Sequence, residues 1–433
     1  MTTIQGRVSG SLYGLLVGDA LAVPGHWFYS PTKLRNDYGE ITEMVTPKPN
    51  HAESMVKGMG YKGSIDIMHD KARFYEGNTL AQHAQEKLKQ EEIQALTDDH
   101  GNYVGATEDE RVHYHASLTK GQNTVNACIA RLLIRYIGEK NQNHGDYYDP
   151  DEFLERFKTY MMTPPNDQDV SQVYFHNDVY MDVFLRNFFT QASKGTALRH
   201  CAMSQRDQWS IGSLDGVVMC IPIIAAYADE PESMVIGRAV EHHMLTHRSV
   251  TVTMVVSILV PLLLELYRGA DLKKALDRAM VKMRPPKCTG REMRDSYVAH
   301  HGPGKILKHD KWLQHMLTTD ESMKEFVHRM AEVENDHDVA GWGDRENSRL
   351  ATACYCEQTF SVVLLLAYKY GTTDPKKALL QNIMLGGHST ARGAVLGAIL
   401  GAAHGADDFP FVHDLAAHET ISKEIESLTG TVL

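Results

Sequence analysis

The sequence lacks the features of several protein classes. Cysteine is scarce, with 6 in 433 residues, and no two cysteines form a Cys-x-x-Cys pair. A disulfide-stapled secreted domain and a zinc-ribbon protein are therefore excluded, and we expect buried free thiols. An excess of positive charge is also lacking, since the net charge is −11 and lysine and arginine form no stripe. This balance predicts no nucleic-acid partner and no attachment to acidic membranes.

Long apolar runs are absent as well. The most apolar segment, residues 250–264, is interrupted by two threonines, a serine and a proline. It is too short and too polar for a membrane span, so it predicts a buried helix. The first ten residues, MTTIQGRVSG, lack the apolar core of a signal peptide. We therefore expect a cytoplasmic protein that does not enter a membrane.

Helical periodicity dominates what is present and predicts an all-α fold. Alternating strand patterns are scarce. Residues 31–118 and 284–348 lack a long apolar period, and we interpret them as polar elaborations on a single domain spanning residues 1–433. The predicted helices cover residues 8–21, 123–137, 151–161, 214–227, 249–267, 271–281, 350–370, 376–384 and 393–403.

Glycines recur every four residues in two of these helices. Gly10, Gly14 and Gly18 share one helix face, and the stretch GGHSTARGAVLGAILGAAHG, residues 386–405, carries four more glycines at the same spacing. Small residues on one face allow two helix backbones to approach closely, so the pattern predicts tight helix packing.

Several polar residues stand where helices begin or end. Asp19 lies between apolar residues, where an unpaired charge would be costly, so it must be hydrogen-bonded or bound to a ligand. Gln122, Asn123 and Thr124 precede one apolar helix, and Asp215 enters another. Taken alone, these residues would be ordinary helix caps.

The turn GGHST, residues 386–390, precedes the second glycine-rich helix. A helix N-terminus offers backbone N–H groups and a positive dipole end to an anion, and Arg392 adds a positive charge. His243 and His247 are four residues apart and could chelate a metal. No acidic partner follows them, so we favour structural histidines there.

Five segments, taken in order, resemble the ADP-ribosylglycohydrolase family. They are GLLVGDALAVPGHW, QNTVNACIARLLIRYI, DGVVMCIPI, LTHRSVTVTMVV and GGHSTARGAVLGAILGAAHG. The resemblance covers most of the chain outside the two polar elaborations. It implies an orthogonal all-α helical bundle and an enzyme that cleaves the N- or O-glycosidic bond to ADP-ribose.

The sequence departs from this family where the family binds two divalent ions, generally magnesium. His26 stands at the position of a glutamate, Gln122 and Asn123 replace paired aspartates, and His388 and Thr390 replace the aspartates of the final turn. Because magnesium prefers anionic oxygen ligands, we expect that no dimagnesium site forms. Zinc or another divalent ion stays open as a cofactor if His26 and His388 converge with a carboxylate.

Two functions are consistent with these residues. The first is a hydrolase of an N- or O-glycosidic bond in a nucleotide, nucleoside or other small glycoside. The alternative is an inactive pseudoenzyme that binds ADP-ribose or a related ligand. The predicted catalytic residues are His26, Asp19, Asp215 and His388. The predicted substrate-binding residues are Gln122, Asn123, Thr124, Gly386, Gly387, Ser389, Thr390, Arg392 and Trp342.

Overall fold

A computed structural model describes residues 3–54, 111–142, 148–162, 178–204, 212–301 and 317–430, apart from residues 112, 117, 179, 344, 346, 347 and 408. Within these ranges the regular structure is helical, with three isolated bridges, so the all-α prediction is confirmed. The helices are α1 (Ile4–Ala22), α2 (Pro31–Tyr38), α3 (Val125–Gln142), α4 (Pro150–Met162), α5 (Val183–Ala192), α6 (Leu198–Cys201), α7 (Asp215–Val218), α8 (Ile221–Ala226), α9 (Glu232–Met244), α10 (Val250–Tyr267), α11 (Leu272–Val281), α12 (Gly290–His301), α13 (Met323–Ala331), α14 (Cys356–Tyr370), α15 (Pro375–Met384), α16 (Ser389–His404) and α17 (His418–Thr429). Short 3₁₀ turns cover Val23–Gly25, Ala202–Ser204, Asp336–Asp338 and Val412–Asp414.

Helices α1 and α16 form the centre of the fold and pack backbone against backbone. A Cβ atom added to Gly14 would lie 2.0 Å from the carbonyl oxygen of Gly397. One added to Gly18 would lie 1.9 Å from that of Gly393. The facing positions run in opposite order along the two helices, so the helices are antiparallel. The predicted close approach is therefore present, and we call these facing glycines the glycine ladder; its pairs are Gly10 with Gly401, Gly14 with Gly397, and Gly18 with Gly393.

The other helices surround this pair. Helices α10, α14 and α15 pack on α16, and α3 packs along α17 beside α1. A buried ion pair fastens α3 to α17, because the Arg131 guanidinium donates to both carboxylate oxygens of Glu424 at 2.9 and 3.0 Å. The start of α3 is thereby held beside α1, where the candidate site lies.

Several predicted helix boundaries were wrong for identifiable reasons. The segment 214–227 is divided into α7 and α8, and Pro222, which has no N–H to donate, stands in the first turn of α8. The helix predicted over residues 350–370 starts only at Cys356, because Leu350 and Tyr355 form isolated backbone bridges with other segments. Residues 284–348, predicted to be irregular, contain α12 and α13.

Within the described ranges, two helical segments have the length and apolar character of membrane spans. They are the segment Ile4–Gly25 and Val250–Tyr267, and 100% and 72% of their most apolar windows are buried inside the fold. Such burial is typical of core helices, as predicted for the second segment. The six cysteines are free, and all but the half-buried Cys354 are buried.

Candidate functional site

The carboxylate of Asp19 ties the end of α1 to the start of α3. Its Oδ2 accepts hydrogen bonds from the Thr124 backbone N–H at 2.8 Å and the Asn123 side-chain amide at 3.0 Å. Its Oδ1 accepts from the Thr124 hydroxyl at 2.7 Å. Burial raises the pKa of Asp19 to about 6, although these three donors favour the ionised form. The predicted need for hydrogen bonds is met within the protein.

Two more carboxylates lie at the same end of α3. The backbone N–H of Val125 donates to Oδ2 of Asp178 at 3.0 Å. The side-chain amide of Asn126 donates to Oδ1 of Asp215 at 2.5 Å, and the Ser213 hydroxyl donates to its other oxygen. A helix N-terminus carries partial positive charge, so this position favours the ionised forms of all these buried acids.

Three imidazoles connect Asp178 to Asp215. His115 Nδ1 lies 2.9 Å from Asp178 Oδ1, and His115 Nε2 contacts His26 Nδ1. His26 Nε2 lies 3.3 Å from His388 Nδ1, and His388 Nε2 lies 2.9 Å from Asp215 Oδ2. All five side chains are at most 2% exposed. We call this series, from Asp178 through His115, His26 and His388 to Asp215, the imidazole chain.

A pair of facing turns brings His26 and His388 together. The Trp27 N–H donates to the Gly387 carbonyl at 2.7 Å, and the Gly387 N–H donates to the Phe28 carbonyl at 2.5 Å. Trp27, Gly386 and Gly387 adopt φ values of 66°, 61° and 62°, in the left-handed region. A Cβ on Gly386 would lie 2.0 Å from the Phe28 oxygen, so the paired glycines are required by this close approach.

The surroundings shift the pKa values of the groups in the imidazole chain. Burial alone would raise the pKa of Asp215, but the His388 charge and the hydrogen bonds that Asp215 accepts lower it to about 2. Burial, followed by the neighbouring His115 and His388, lowers the pKa of His26 well below its usual range. Asp215 is therefore a carboxylate at neutral pH.

Two more buried histidines adjoin the imidazole chain but have other partners. His51 Nε2 lies 3.0 Å from the His26 carbonyl, and its Nδ1 accepts the Glu53 N–H at 3.1 Å. His113 Nε2 lies 3.3 Å from the Pro24 carbonyl, and its Nδ1 accepts the His115 N–H. Each ring therefore donates from Nε2 and accepts at Nδ1, which is the neutral tautomer. Burial lowers the pKa of His51 to about 4 and lowers that of His113 well below its usual range.

Arg392 and Ser389 are bonded to the framework. The fully buried Arg392 guanidinium donates from Nε to the Asn382 side chain at 2.5 Å and from Nη2 to the Gly386 carbonyl at 2.7 Å. The Ser389 hydroxyl donates to the Ala22 carbonyl at 2.9 Å. Burial lowers the pKa of Arg392 to about 9, so it keeps its charge at neutral pH. These contacts support the turn that carries His388.

The remaining predicted binding residues lie beside the imidazole chain or away from it. Gln122 accepts the Thr119 N–H at 2.9 Å through its side-chain oxygen. Trp342 stacks on Tyr29 with ring centroids 5.2 Å apart, in a separate apolar cluster. Thr390 is buried in the first turn of α16. Substrate binding by these residues stays a prediction.

Asp178, Asn126 and Ser213 were not predicted from the sequence as site residues. Two of them had a local signal. Asn126 follows Asn123 by one helical turn, and Ser213 precedes Asp215 at the spacing of a side-chain turn. His115 and Asp178 are brought in by tertiary packing. His243 donates to the His247 carbonyl at 2.9 Å, so that pair serves a local structural bond, as favoured.

The donor set of the site does not suit magnesium. Its central members are imidazoles that contact one another, and Asp178 and Asp215 stand at opposite ends of the chain, bonded to N–H and O–H donors. Magnesium prefers several oxygen ligands in octahedral geometry. Among the residues that the structure describes, no three histidine, cysteine or acidic side chains are grouped to hold one ion.

Comparisons with known proteins agree with the fold and identify a family. The ADP-ribosylglycohydrolase family profile matches residues 1–432. A solved structure titled "ADP-ribosylglycohydrolase-related protein complex" is similar over 100% of both chains, with a TM-score of 0.52 and 15% sequence identity. A search of curated proteins gives no match. Since the family profile spans nearly the whole sequence, the chain belongs to the ADP-ribosylglycohydrolase family.

Proposed function

We propose that the protein is a cytoplasmic hydrolase of an N- or O-glycosidic bond in a nucleotide, nucleoside or other small glycoside, and that it works without two magnesium ions. Membership of the family supports a glycohydrolase-type function. The observation that carries the proposal for this site is the buried pair of His388 and Asp215 at the start of α3.

Glycoside cleavage needs a negative group near an oxocarbenium-like centre and a group that exchanges protons with the leaving group and with water. Asp215 supplies the negative group, because its pKa is lowered to about 2. His388 supplies the proton exchange. Its Nε2 is 2.9 Å from Asp215 Oδ2 yet is not aligned for a hydrogen bond to it. The Nε2 proton can therefore be shared with a third group beside the carboxylate.

The test is a panel of N- and O-glycosides, including ADP-ribosyl compounds, assayed with the wild type, Asp215→Asn and His388→Gln. Removal of a general acid or base is expected to lower turnover by about 10²- to 10⁴-fold. His328→Gln is the matched control, since His328 is a half-exposed histidine that pairs with Asp277 on α11. Turnover that both site substitutions leave unchanged would refute the assignment.

One observation favours the alternative of a binding protein without turnover. His388 and Asp215 are 1% and 2% exposed, so a substrate reaches them only if neighbouring side chains move. A pseudoenzyme would show a higher melting temperature with ADP-ribose or a nucleoside, and no product over the whole panel. Product formation by the wild type would exclude this alternative.

A further inference from the structure

Buried polar atoms without a hydrogen-bond partner gather around Asp215. Among the residues that the structure describes, fourteen buried side-chain nitrogen and oxygen atoms have no such partner, and six of them lie in this region. They are Trp27 Nε1, Asn126 Oδ1, Asp182 Oδ2, His247 Nε2, Thr352 Oγ1 and His388 Nε2. Because a buried polar atom is costly without a partner, such a concentration indicates a place where a ligand supplies the missing bonds.

Three of these atoms lie beside the pair of His388 and Asp215. The Asn126 side-chain nitrogen donates to Asp215 at 2.5 Å, which leaves the amide oxygen of Asn126 without a donor. His388 Nε2 is 2.9 Å from Asp215 Oδ2 without the alignment of a hydrogen bond. Thr352 adjoins the same turn, because its carbonyl accepts the His388 N–H at 2.7 Å and a Cβ on Gly387 would lie 2.7 Å from its Oγ1.

Asp182 and His247 extend this region beside the start of α7. The His247 ring packs on that helix start, because a Cβ on Gly216 would lie 2.8 Å from the His247 Cβ. His247 Nε2 is 3.3 Å from Asp182 Oδ1, which already accepts two backbone N–H groups of α5 at 2.8 and 3.2 Å. Burial raises the pKa of the Cys354 thiol to about 12, and the charges of Asp215 and Asp182 add to the shift. Both carboxylates therefore lie near this thiol, and Asp182 Oδ2 is the unused oxygen of a buried helix cap.

Trp27 is held over His26 and His388 by a strained backbone. Its φ of 66° lies in the left-handed region, which is costly for a bulky residue and persists only where the surroundings enforce it. The indole ring stacks on His26 with centroids 4.9 Å apart, and its centroid lies 5.0 Å from that of His388. Its Nε1 can only donate, so this position calls for an acceptor that the described residues do not supply.

These atoms call for a ligand that both donates and accepts hydrogen bonds. The unpaired oxygens of Asn126 and Asp182 only accept, and the Trp27 N–H only donates. A hydroxyl group meets both needs, because it carries one proton and two lone pairs. An ammonium group would pair with the two oxygens but not with the indole. An ionised phosphate offers acceptors, so it would leave both oxygens unpaired beside the buried carboxylate of Asp182.

We propose that the side chains around Asp215 bind the sugar ring of the substrate through its free hydroxyl groups, with Trp27 as a donor and Asn126 and Asp182 as acceptors that exclude a phosphate. The inference rests on the proposed function, because it concerns the same site. It narrows the substrate from nucleotides, nucleosides and other small glycosides to glycosides whose sugar carries no phosphate.

Arg186 is the group from which a competing preference for phosphate would arise. It lies one helical turn after Asp182, and its charge lowers the pKa of the nearby Tyr180 phenol, which burial raises. A guanidinium forms strong hydrogen bonds to phosphate oxygens. A preference for phosphorylated ligands would therefore depend on this side chain, and Arg186→Gln would remove it.

The direct test measures binding to the full chain through the ligand-dependent rise of its melting temperature. The probes are D-ribose, D-glucose and adenosine, each paired with its 5-, 6- or 5′-phosphate, and 2′,3′-dideoxyadenosine. We expect at least one unphosphorylated sugar to bind about tenfold more tightly than its phosphate, because a buried acceptor left unpaired costs about a factor of ten in affinity. If adenosine binds, its dideoxy analogue should bind about tenfold more weakly for the same reason. Equal or tighter binding of the phosphates would overturn the inference.

Asp182→Asn separates recognition from folding, because asparagine also caps helices. The substitution removes the charge and brings an amide donor, so the ratio of unphosphorylated to phosphorylated affinity should fall by about tenfold or more. Asp271→Asn is the matched control, since Asp271 caps α11 by accepting the Lys274 N–H at 3.0 Å, and it should leave the ratio unchanged. Trp27→Phe keeps a ring but loses the N–H, and it should weaken the binding of every sugar by about tenfold. An unchanged ratio in Asp182→Asn would refute its assigned role.

Recognition and hydrolysis can fail separately. Binding with the expected preference, but without product from any glycoside, would refute the proposed function and leave the recognition of hydroxyl groups standing. Preferential hydrolysis of phosphorylated substrates that is lost in Arg186→Gln would refute this recognition and leave the hydrolase standing. A melting temperature that no sugar changes would also overturn the inference, because the buried atoms would then be satisfied without a sugar.

Discussion

Substitution of Gly14 by alanine tests whether the glycine ladder holds the fold together. The added Cβ would lie 2.0 Å from the Gly397 carbonyl oxygen, 2.6 Å from its carbon and 3.3 Å from the Ala398 nitrogen. All three are backbone atoms, so no side-chain rotation relieves the overlap. To reach ordinary contact of about 3.4 Å, the two helices would have to separate locally by more than an ångström.

Two opposing contributions determine the expected change in the free energy of unfolding for Gly14→Ala. Overpacking of a core by one carbon typically costs about 1–3 kcal/mol when the neighbours can adjust. Here only rigid backbone lies opposite, so we expect the upper end of that range. Alanine in a helix interior returns about 0.5–1 kcal/mol relative to glycine. The net expectation for Gly14→Ala is a loss of about 2 kcal/mol or more in the free energy of unfolding.

Gly237→Ala is the matched control. Gly237 lies inside α9, is exposed, and has no atom within 4 Å of an added Cβ. Only the propensity gain applies there, so urea unfolding should show a stabilisation of about 0.5–1 kcal/mol. The two identical chemical changes are thus expected to have opposite signs. Equal unfolding midpoints for Gly14→Ala and Gly237→Ala would refute the argument that the ladder depends on backbone contact.

Two further predictions concern buried charge. Burial lowers the pKa of His51 and His243 from 6.5 to about 4, so the stability they contribute is complete above pH 6.5 and is lost as pH falls towards 4. Each of the two histidines accounts for a loss of about 3 kcal/mol in the free energy of unfolding over this range. The raised pKa of Asp19 offsets one of these two losses, so urea unfolding at pH 4 should show a net loss of about 3 kcal/mol or more relative to pH 7. A flat profile would contradict this. Glu424→Gln leaves the buried Arg131 guanidinium with an uncharged partner and should cost about 3 kcal/mol in the same assay, whereas a change below about 1 kcal/mol would show that the pair is solvated.

The structural features that could be predicted from the sequence are those that a local sequence pattern determines. Glycine spacing of four residues places Gly10 and Gly18 on one helix face whatever the tertiary fold, so the packing of α1 on α16 could be inferred. His26, Asp215 and His388 were identified because they occupy positions within segments that resemble a family. The structure places their side chains in one chain of contacts.

The parts that were missed depend on long-range placement. Asp178 has no helical or strand pattern around it, and its partner His115 is 63 residues earlier in the chain. The side chain of Arg392 was predicted to face a ligand because it follows the turn. Its Nε and Nη2 donate to Asn382 and Gly386, because a buried guanidinium needs acceptors, and substrate binding by Arg392 stays a prediction.

The helix packing at the glycine ladder affects the distance between two rings of the imidazole chain. Because α1 and α16 are antiparallel, Gly18 and Gly393 face each other at one end of the ladder. At this end the polypeptide leaves α1 towards His26, and His388 directly precedes α16. The His26–His388 contact of 3.3 Å tolerates a displacement of only a few tenths of an ångström before the hydrogen bond weakens. Side chains on the ladder would separate the two helices by more than that. The backbone contact between α1 and α16 is therefore a condition for the contact between the two rings as much as for the stability of the core.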